Sequence, residues 1–357
     1  MKRIARLSLT ATVLSCGCTD FPEIEYRTAR AEIGTTLDDP LCQGDLDAID
    51  AQIEAIEART GVQHDGPVRI YLYGTPEELP CDVSPFGCYM PRQDAVATTA
   101  TALDHELVHA VLRNRDFSRL FWSEGLAEGL KGQGTLLNTS GDVLASYDAD
   151  ESSKLDYRAA GHFMRWLVET RGLSAMQDFI AGESFESAFG GPLQELADEH
   201  DASAPYAYPD WEPCSGPELA SSGEESWRES VTASCSDPET ERLTVGVPTV
   251  TRIVTLEGGA YEVSMSGGVG LWIRGCLDKA LQDELPSYNE DGSVIYYWNG
   301  DVFNEAQFSH TGLFSFFPSE RVHELELTPG RYEVAIEAGA DDPATVNWRS
   351  LETTVVP

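Results

Sequence analysis

At 357 residues the chain exceeds one average domain and suits two. Hydrophobic residues make up 41%, which excludes wholesale disorder. Lys and Arg number 24 against 60 Asp and Glu, a formal net charge of -36, so the surface repels phosphate backbones and no nucleic-acid partner is expected.

Lys2, Arg3 and Arg6 precede a short, mostly apolar run from Leu7 to Leu14, the pattern of a secretory signal and too short for a permanent membrane span. It runs into Val13-Leu14-Ser15-Cys16-Gly17-Cys18, which resembles a bacterial lipobox, in which a cysteine takes a diacylglycerol and becomes the new N-terminus. Cys16 has the better upstream residues, with an aliphatic Val13 three positions back. Cys18 has Gly17 before it and leaves an even six cysteines downstream, so both stay open. Residues 1–18 are therefore expected to act as signal and lipobox. The product would be a cell-envelope lipoprotein, on the outer membrane or cell surface, touching the bilayer through its lipid alone. In that oxidising compartment Cys42, Cys81, Cys88, Cys214, Cys235 and Cys276 are expected to form disulfides. A local bridge is plain only for Cys81 and Cys88, which bracket a loop containing Pro and Gly; six cysteines allow fifteen pairings.

Residues 19–41 show little periodicity and read as a tether. From Asp45, Leu46, Ile49, Ile53 and Ile56 recur at helical spacing until Gly61. Val68 to Tyr73 alternates as a strand, and Ala95 to Thr99 reads as a second, short one. A helix follows from near Ala102, another around Trp122 to Lys131, and a third from about Asp156 to Arg171 with Gly172 past its end. Leu173 to His200 is again helical, broken at Gly190-Gly191-Pro192. Strands followed by helices over residues 42–202 predict an α+β domain. Residues 203–240, rich in Pro, Ser, Gly and Glu, read as a linker or an excursion pinned through Cys214 and Cys235. Over 241–357, short alternating segments such as Leu243 to Val247, Arg252 to Leu256, Ala260 to Met265 and Tyr332 to Ile336 are parted by turn signals. That spacing predicts an all-β, sandwich-like second domain.

The second helical stretch in chain order contains His105-Glu106-Leu107-Val108-His109. In a helix the two histidines lie one turn apart on one face, so both rings reach one metal ion. Glu106 lies alongside, placed to hold the water that the ion activates. A catalytic zinc site takes three protein ligands and leaves a fourth position open. Downstream, Ser123-Glu124-Gly125-Leu126-Ala127-Glu128 offers two carboxylates one turn apart. Glu124 is assigned as third ligand, and Glu128 as the acceptor that fixes a ligand histidine's tautomer.

His105 to His109 with Glu124 fifteen residues after His109 resembles the gluzincin zinc peptidases, which include thermolysin and the aminopeptidase N family. The wider pattern, with Tyr157-Arg158-Ala159-Ala160-Gly161-His162-Phe163 and the Phe185 to Leu196 segment, is similar to the bacterial peptidase-MA-like domain. This resemblance covers roughly residues 42–200. It implies a zincin-like fold, one Zn2+ per chain, and hydrolysis of a peptide or protein substrate with Glu106 as general base. The amine-binding motif of aminopeptidase N is not found, so no aminopeptidase assignment follows. Tyr157 is the candidate donor to the oxyanion and His162 the second, each also readable as a packed core residue. His64, His200, His310 and His323 lack a partner pattern and read as surface or loop residues. Strand Ala95 to Thr99 is expected to bind extended substrate by strand addition. Competing readings are a non-catalytic surface lipoprotein with a degenerate or structural zinc site, and a zinc amidase acting on cell-wall peptide.

Overall fold

A computed structural model describes residues 21–276, 296–298, 301–303 and 315–351. Within these, 82–85, 114, 116, 118, 133–135, 138–140, 150, 210, 212–213, 215, 224, 244–245, 321, 328 and 340–342, together with 319–320, are not described. The signal and lipobox residues, both lipidation candidates and His310 lie outside the described residues.

The N-terminal half pairs one mixed sheet with a layer of helices. Its strands are β1 (Ile24–Arg27), β2 (Ala31–Thr35), β3 (Val68–Leu72), β4 (Gly87–Met90) and β5 (Ala95–Thr98), in the order β1-β2-β3-β5-β4. β2, β3 and β5 are parallel, and antiparallel strands close both edges. The helices are α1 (Gln43–Thr60), α2 (Leu103–Leu112), α3 (Leu120–Leu130), α4 (Val143–Tyr147), α5 (Tyr157–Arg171), α6 (Leu173–Ile180), α7 (Phe185–Phe189) and α8 (Leu193–Ser203). In α1, Ile49, Ile53 and Ile56 are buried, and the helix stops at Gly61, whose φ of 69° is the left-handed conformation favoured at this position. Leu103, Leu107, Val108, Val111 and Leu112 of α2 join the same core as Ile33, Ile70 and Val96 of the sheet. Asp156 caps α5 by accepting from the Arg158 and Ala159 amides.

Residues 24–35 are not a tether. They form β1 and β2, and Phe21 stacks on Tyr71 with ring centroids 4.6 Å apart. Their alternation is only two or three residues deep, and β2 pairs with β3 across the whole of α1, a non-local partnership with no local mark.

The C-terminal half contains two five-stranded antiparallel sheets. One runs Thr240–Glu241, Thr249–Leu256, Gly330–Glu337, Gly270–Gly275, Ser315–Pro318 in spatial order. The other runs Val322–Leu327, Gly259–Ser266, Ala344–Ser350, Ser226–Val231, Ser221–Gly223. Val254, Ile273, Val334 and Ile336 of the first share one core with Tyr261, Val263, Val346 and Trp348 of the second. Ser226–Val231 lies within the span expected to link the halves, yet it is an interior strand, with Trp227 opposite Trp348. Polar residues on its outer face hide the alternation. The expected strand from Leu243 to Val247 is absent among the described residues; Thr240–Glu241 pairs there instead.

Three disulfides join Cys42 to Cys235, Cys81 to Cys88 and Cys214 to Cys276. They mark an oxidising compartment, extracellular or periplasmic. Among the described residues no helix is long and apolar enough to cross a membrane. Cys42–Cys235 ties the start of α1 to the second half, beside a second link: Asp45 accepts from the amides of Arg242 and Leu243 at 2.9 and 2.8 Å. Replacing Cys42 and Cys235 together by Ser should cost about 2 to 5 kcal/mol, because the bridge closes a long loop in the unfolded chain. Denaturant melts would check it, and an unchanged midpoint would show that the halves are held without this bond.

Candidate metal centre

α2 presents His105 and His109 on one face, and α3 lies across them. His105 Nε2 and His109 Nε2 are 3.1 Å apart, and Glu124 Oε2 is 3.1 Å from the first and 3.2 Å from the second. Three donors bonded at about 2.0–2.1 Å to a tetrahedral ion are separated by about 3.3 Å, so this near-equilateral triangle fits zinc as one face of its coordination shell. Two imidazoles and one carboxylate, all half-buried, are also the donor types zinc takes.

Close helix packing creates the triangle. Where α3 crosses α5, a Cβ on Gly161 would stand 2.4 Å from Glu128 Cβ, a distance that real side chains do not reach. Gly161 therefore seats Glu128 directly on the α5 backbone. Glu128 Oε1 meets His105 Nδ1 at 2.7 Å, and its Oε2 accepts from Lys131 Nζ at 2.7 Å. The bond to Nδ1 leaves Nε2 of His105 free to face the triangle. Ser123 Oγ lies 3.4 Å from His109 Nδ1 on the corresponding side of the other ring.

Burial pushes the His105 pKa down, but hydrogen bonds to Glu124 and Glu128 and the charges of Glu128 and Glu106 outweigh it and raise it to about 10. Glu124 and Glu128 feel burial as an upward push, overcome by the histidines and, for Glu128, by Lys131, so both are lowered to about 2. Glu106 behaves differently. It is 5% exposed, and burial with the nearby Glu124 charge raises its pKa despite both histidines and the Tyr89 amide. A carboxylate made more basic in this way is better suited to accepting a proton. Gly87 of β4 lies against it: a Cβ there would be 2.8 Å from Glu106 Cγ.

Tyr157 opens α5 with its ring 6.2 Å from that of His105. Burial, then the charges of Glu124, Glu106 and Glu128, push its hydroxyl up to about 12, so it remains a proton-bearing donor. His162 is not at this site. It is fully buried in α5, its Nδ1 is 2.9 Å from His200 Nε2, and burial followed by His200 lowers it to about 3. Five residues beyond Tyr157, it faces α8 and Tyr208 instead of α2. His64, His200 and His323 are likewise buried, His64 in the loop after α1.

Ala95–Thr98 lies inside the sheet between β3 and β4, with both edges used, so it cannot receive another strand. The edge is β4, whose Cys88 carries the local disulfide. Local pattern missed β4 because Gly87-Cys88-Tyr89-Met90 has no polar alternation. Lys131 and Ser123 were also missed, though each is one position or one turn from an assigned glutamate. A cavity of about 650 Å³ lined by Trp122, Tyr147, Phe179 and Phe185 has none of the three triangle residues on its wall.

A histidine must lose its proton to bind a metal. His105 keeps its proton up to about 10 in the metal-free chain, so zinc uptake near pH 7.5 should release about one proton. Apparent zinc affinity should accordingly rise with pH across about pH 6 to 8.5. Calorimetry in buffers of different ionisation enthalpy would read the release. A buffer-independent heat would refute it.

No known protein-family profile matches the chain, and no curated protein matches it. Among solved structures, a Paenibacillus sp. cycloisomaltooligosaccharide glucanotransferase, complexed with cycloisomaltoheptaose, is 20% identical over 32% of this chain, with a TM-score of 0.13. The chain spans 13% of that enzyme's length, and a likeness this slight carries no functional argument.

Proposed function

We propose that the protein is an exported zinc metallopeptidase of the gluzincin type, anchored to the cell envelope by a lipid on Cys16 or Cys18. The observation that carries this reading is the triangle of His105, His109 and Glu124 with a buried, basic Glu106 beside it. A metal site that served only structure has no use for a carboxylate held in that condition. The motif helix packed beside an antiparallel edge strand supports a zincin-like domain, and two sheets around one core support an accessory β-sandwich.

In this reading His105, His109 and Glu124 hold the ion. A bound zinc ion would supply Lewis acidity for a scissile carbonyl and for water. Glu106 takes the proton from the attacking water and passes it to the leaving amine. The Tyr89 amide and the absence of a side chain at Gly87 fix where that carboxylate points. Tyr157 donates its hydroxyl proton in a hydrogen bond to the oxyanion. An extended substrate adds to β4, which brings its backbone alongside Glu106; the preference for peptide over sugar rests on that edge.

Glu106→Gln should retain zinc and lose cleavage of casein or a peptide library. Tyr157→Phe should lower kcat by about 10²-fold with KM little changed, the effect of losing one oxyanion donor. Zinc-loaded wild type that cleaves nothing in the library would overturn the peptidase reading. Mass spectrometry of the mature N-terminus should show a diacylated cysteine, and an unmodified chain released to the medium would refute the anchor.

A further inference from the structure

Lys131 follows the last residue of α3, where the backbone turns away from the helix. The carbonyls at that end are taken by other groups: Arg59 Nη1 donates to Leu130 O at 2.9 Å, and Trp211 Nε1 donates to Gly129 O at 2.9 Å. The Lys131 ammonium instead folds back one turn to Glu128 Oε2 at 2.7 Å, with only 19% of its side chain exposed. Glu128 is thereby held at both oxygens, one on His105 and one on Lys131. A carboxylate held at both ends has one orientation. One held only by His105 can swing.

We propose that Lys131 is a positioning residue of the metal site: acting through Glu128, it fixes the Nδ1–H form of His105 and so slows loss of the metal. The proposal rests on the metal-binding reading of the triangle. An ordinary exposed ion pair one turn apart on a helix would contribute little and would not act at a distance on a metal. Here the pair is mostly shielded and its second oxygen ends on a ligand histidine, a connection that typically governs metal affinity by 10- to 100-fold.

The test uses the full-length, zinc-loaded protein and the rate of zinc transfer to a coloured chelator. Lys131→Met should release zinc about 3- to 10-fold faster and Lys131→Arg, which keeps the charge and the donor, close to the wild-type rate. Glu128→Gln should be faster still, and adding Lys131→Met to it should change nothing further, because residues acting in series are not additive. Wild-type release from Lys131→Met overturns the inference. So does a Lys131→Arg protein that loses zinc as quickly as Lys131→Met, or a full additional effect in the double variant. A wild-type chain that holds no zinc at all overturns the metal site itself, and with it this role. That outcome is distinguished from the others by metal analysis before the chelator is added.

Discussion

The closeness of α3 to α5 governs the arrangement of the whole site. Gly125, Gly129 and Gly161 let the two helix backbones approach closely: a Cβ on Gly125 or Gly129 would stand about 3 Å from a carbonyl oxygen of Ala160 or Gly161 and from the Met164 side chain. With α5 that near, the outer face of α3 is set at a fixed height over α2. Glu124 and Glu128 then reach two different atoms of one imidazole, and Tyr157 falls beside the same ring. A thicker residue at Gly161 would push Glu128 outward and uncouple these contacts together. Backbone approach, more than side-chain chemistry, sets the geometry.

Electrostatics follows from that packing. Three glutamates and two histidines share a half-buried space, a combination that would be costly unless each charge had a partner. Glu124 and Glu128 have partners and are driven strongly acidic. Glu106, pushed up by burial and by the Glu124 charge, is driven the other way. Environment thus separates chemically identical side chains into two kinds: those that remain charged as ligand and support, and one able to exchange a proton.

Much of this was legible in the sequence, and the division has a physical cause. The histidines, Glu106, Glu124 and Glu128 were legible because within each helix they stand at helical spacings, the histidines one turn apart on α2 and Glu124 and Glu128 one turn apart on α3. α1, β3, β5 and α5 were legible for the same reason, since each carries several periods of its own pattern. β2 and the Ser226–Val231 strand were not, because each is held by a strand distant in sequence, β3 and Ala344–Ser350, and β1 is four residues long and pairs with β2. His162 misled because membership of the right helix says nothing about which face it takes. A step of five residues from Tyr157 turns it away from α2, toward His200 and Tyr208. The Cys42–Cys235 and Cys214–Cys276 pairings depend on tertiary contact and had no local signal, whereas Cys81–Cys88 closes its own loop.

The bridge from Cys42 to Cys235 encloses every residue of the triangle, Glu106 and Tyr157. A proteolytic nick anywhere inside that span cuts the polypeptide without freeing a piece of it, since both new ends remain covalently joined through the two sulfurs. The crossing Cys214–Cys276 bond extends this protection into the second half, because the two loops overlap. In an extracytoplasmic space rich in proteases, such a molecule can be clipped at a surface loop and still keep α2, α3 and α5 in register. Damage would appear as a second band only on a reducing gel, long after the first cut.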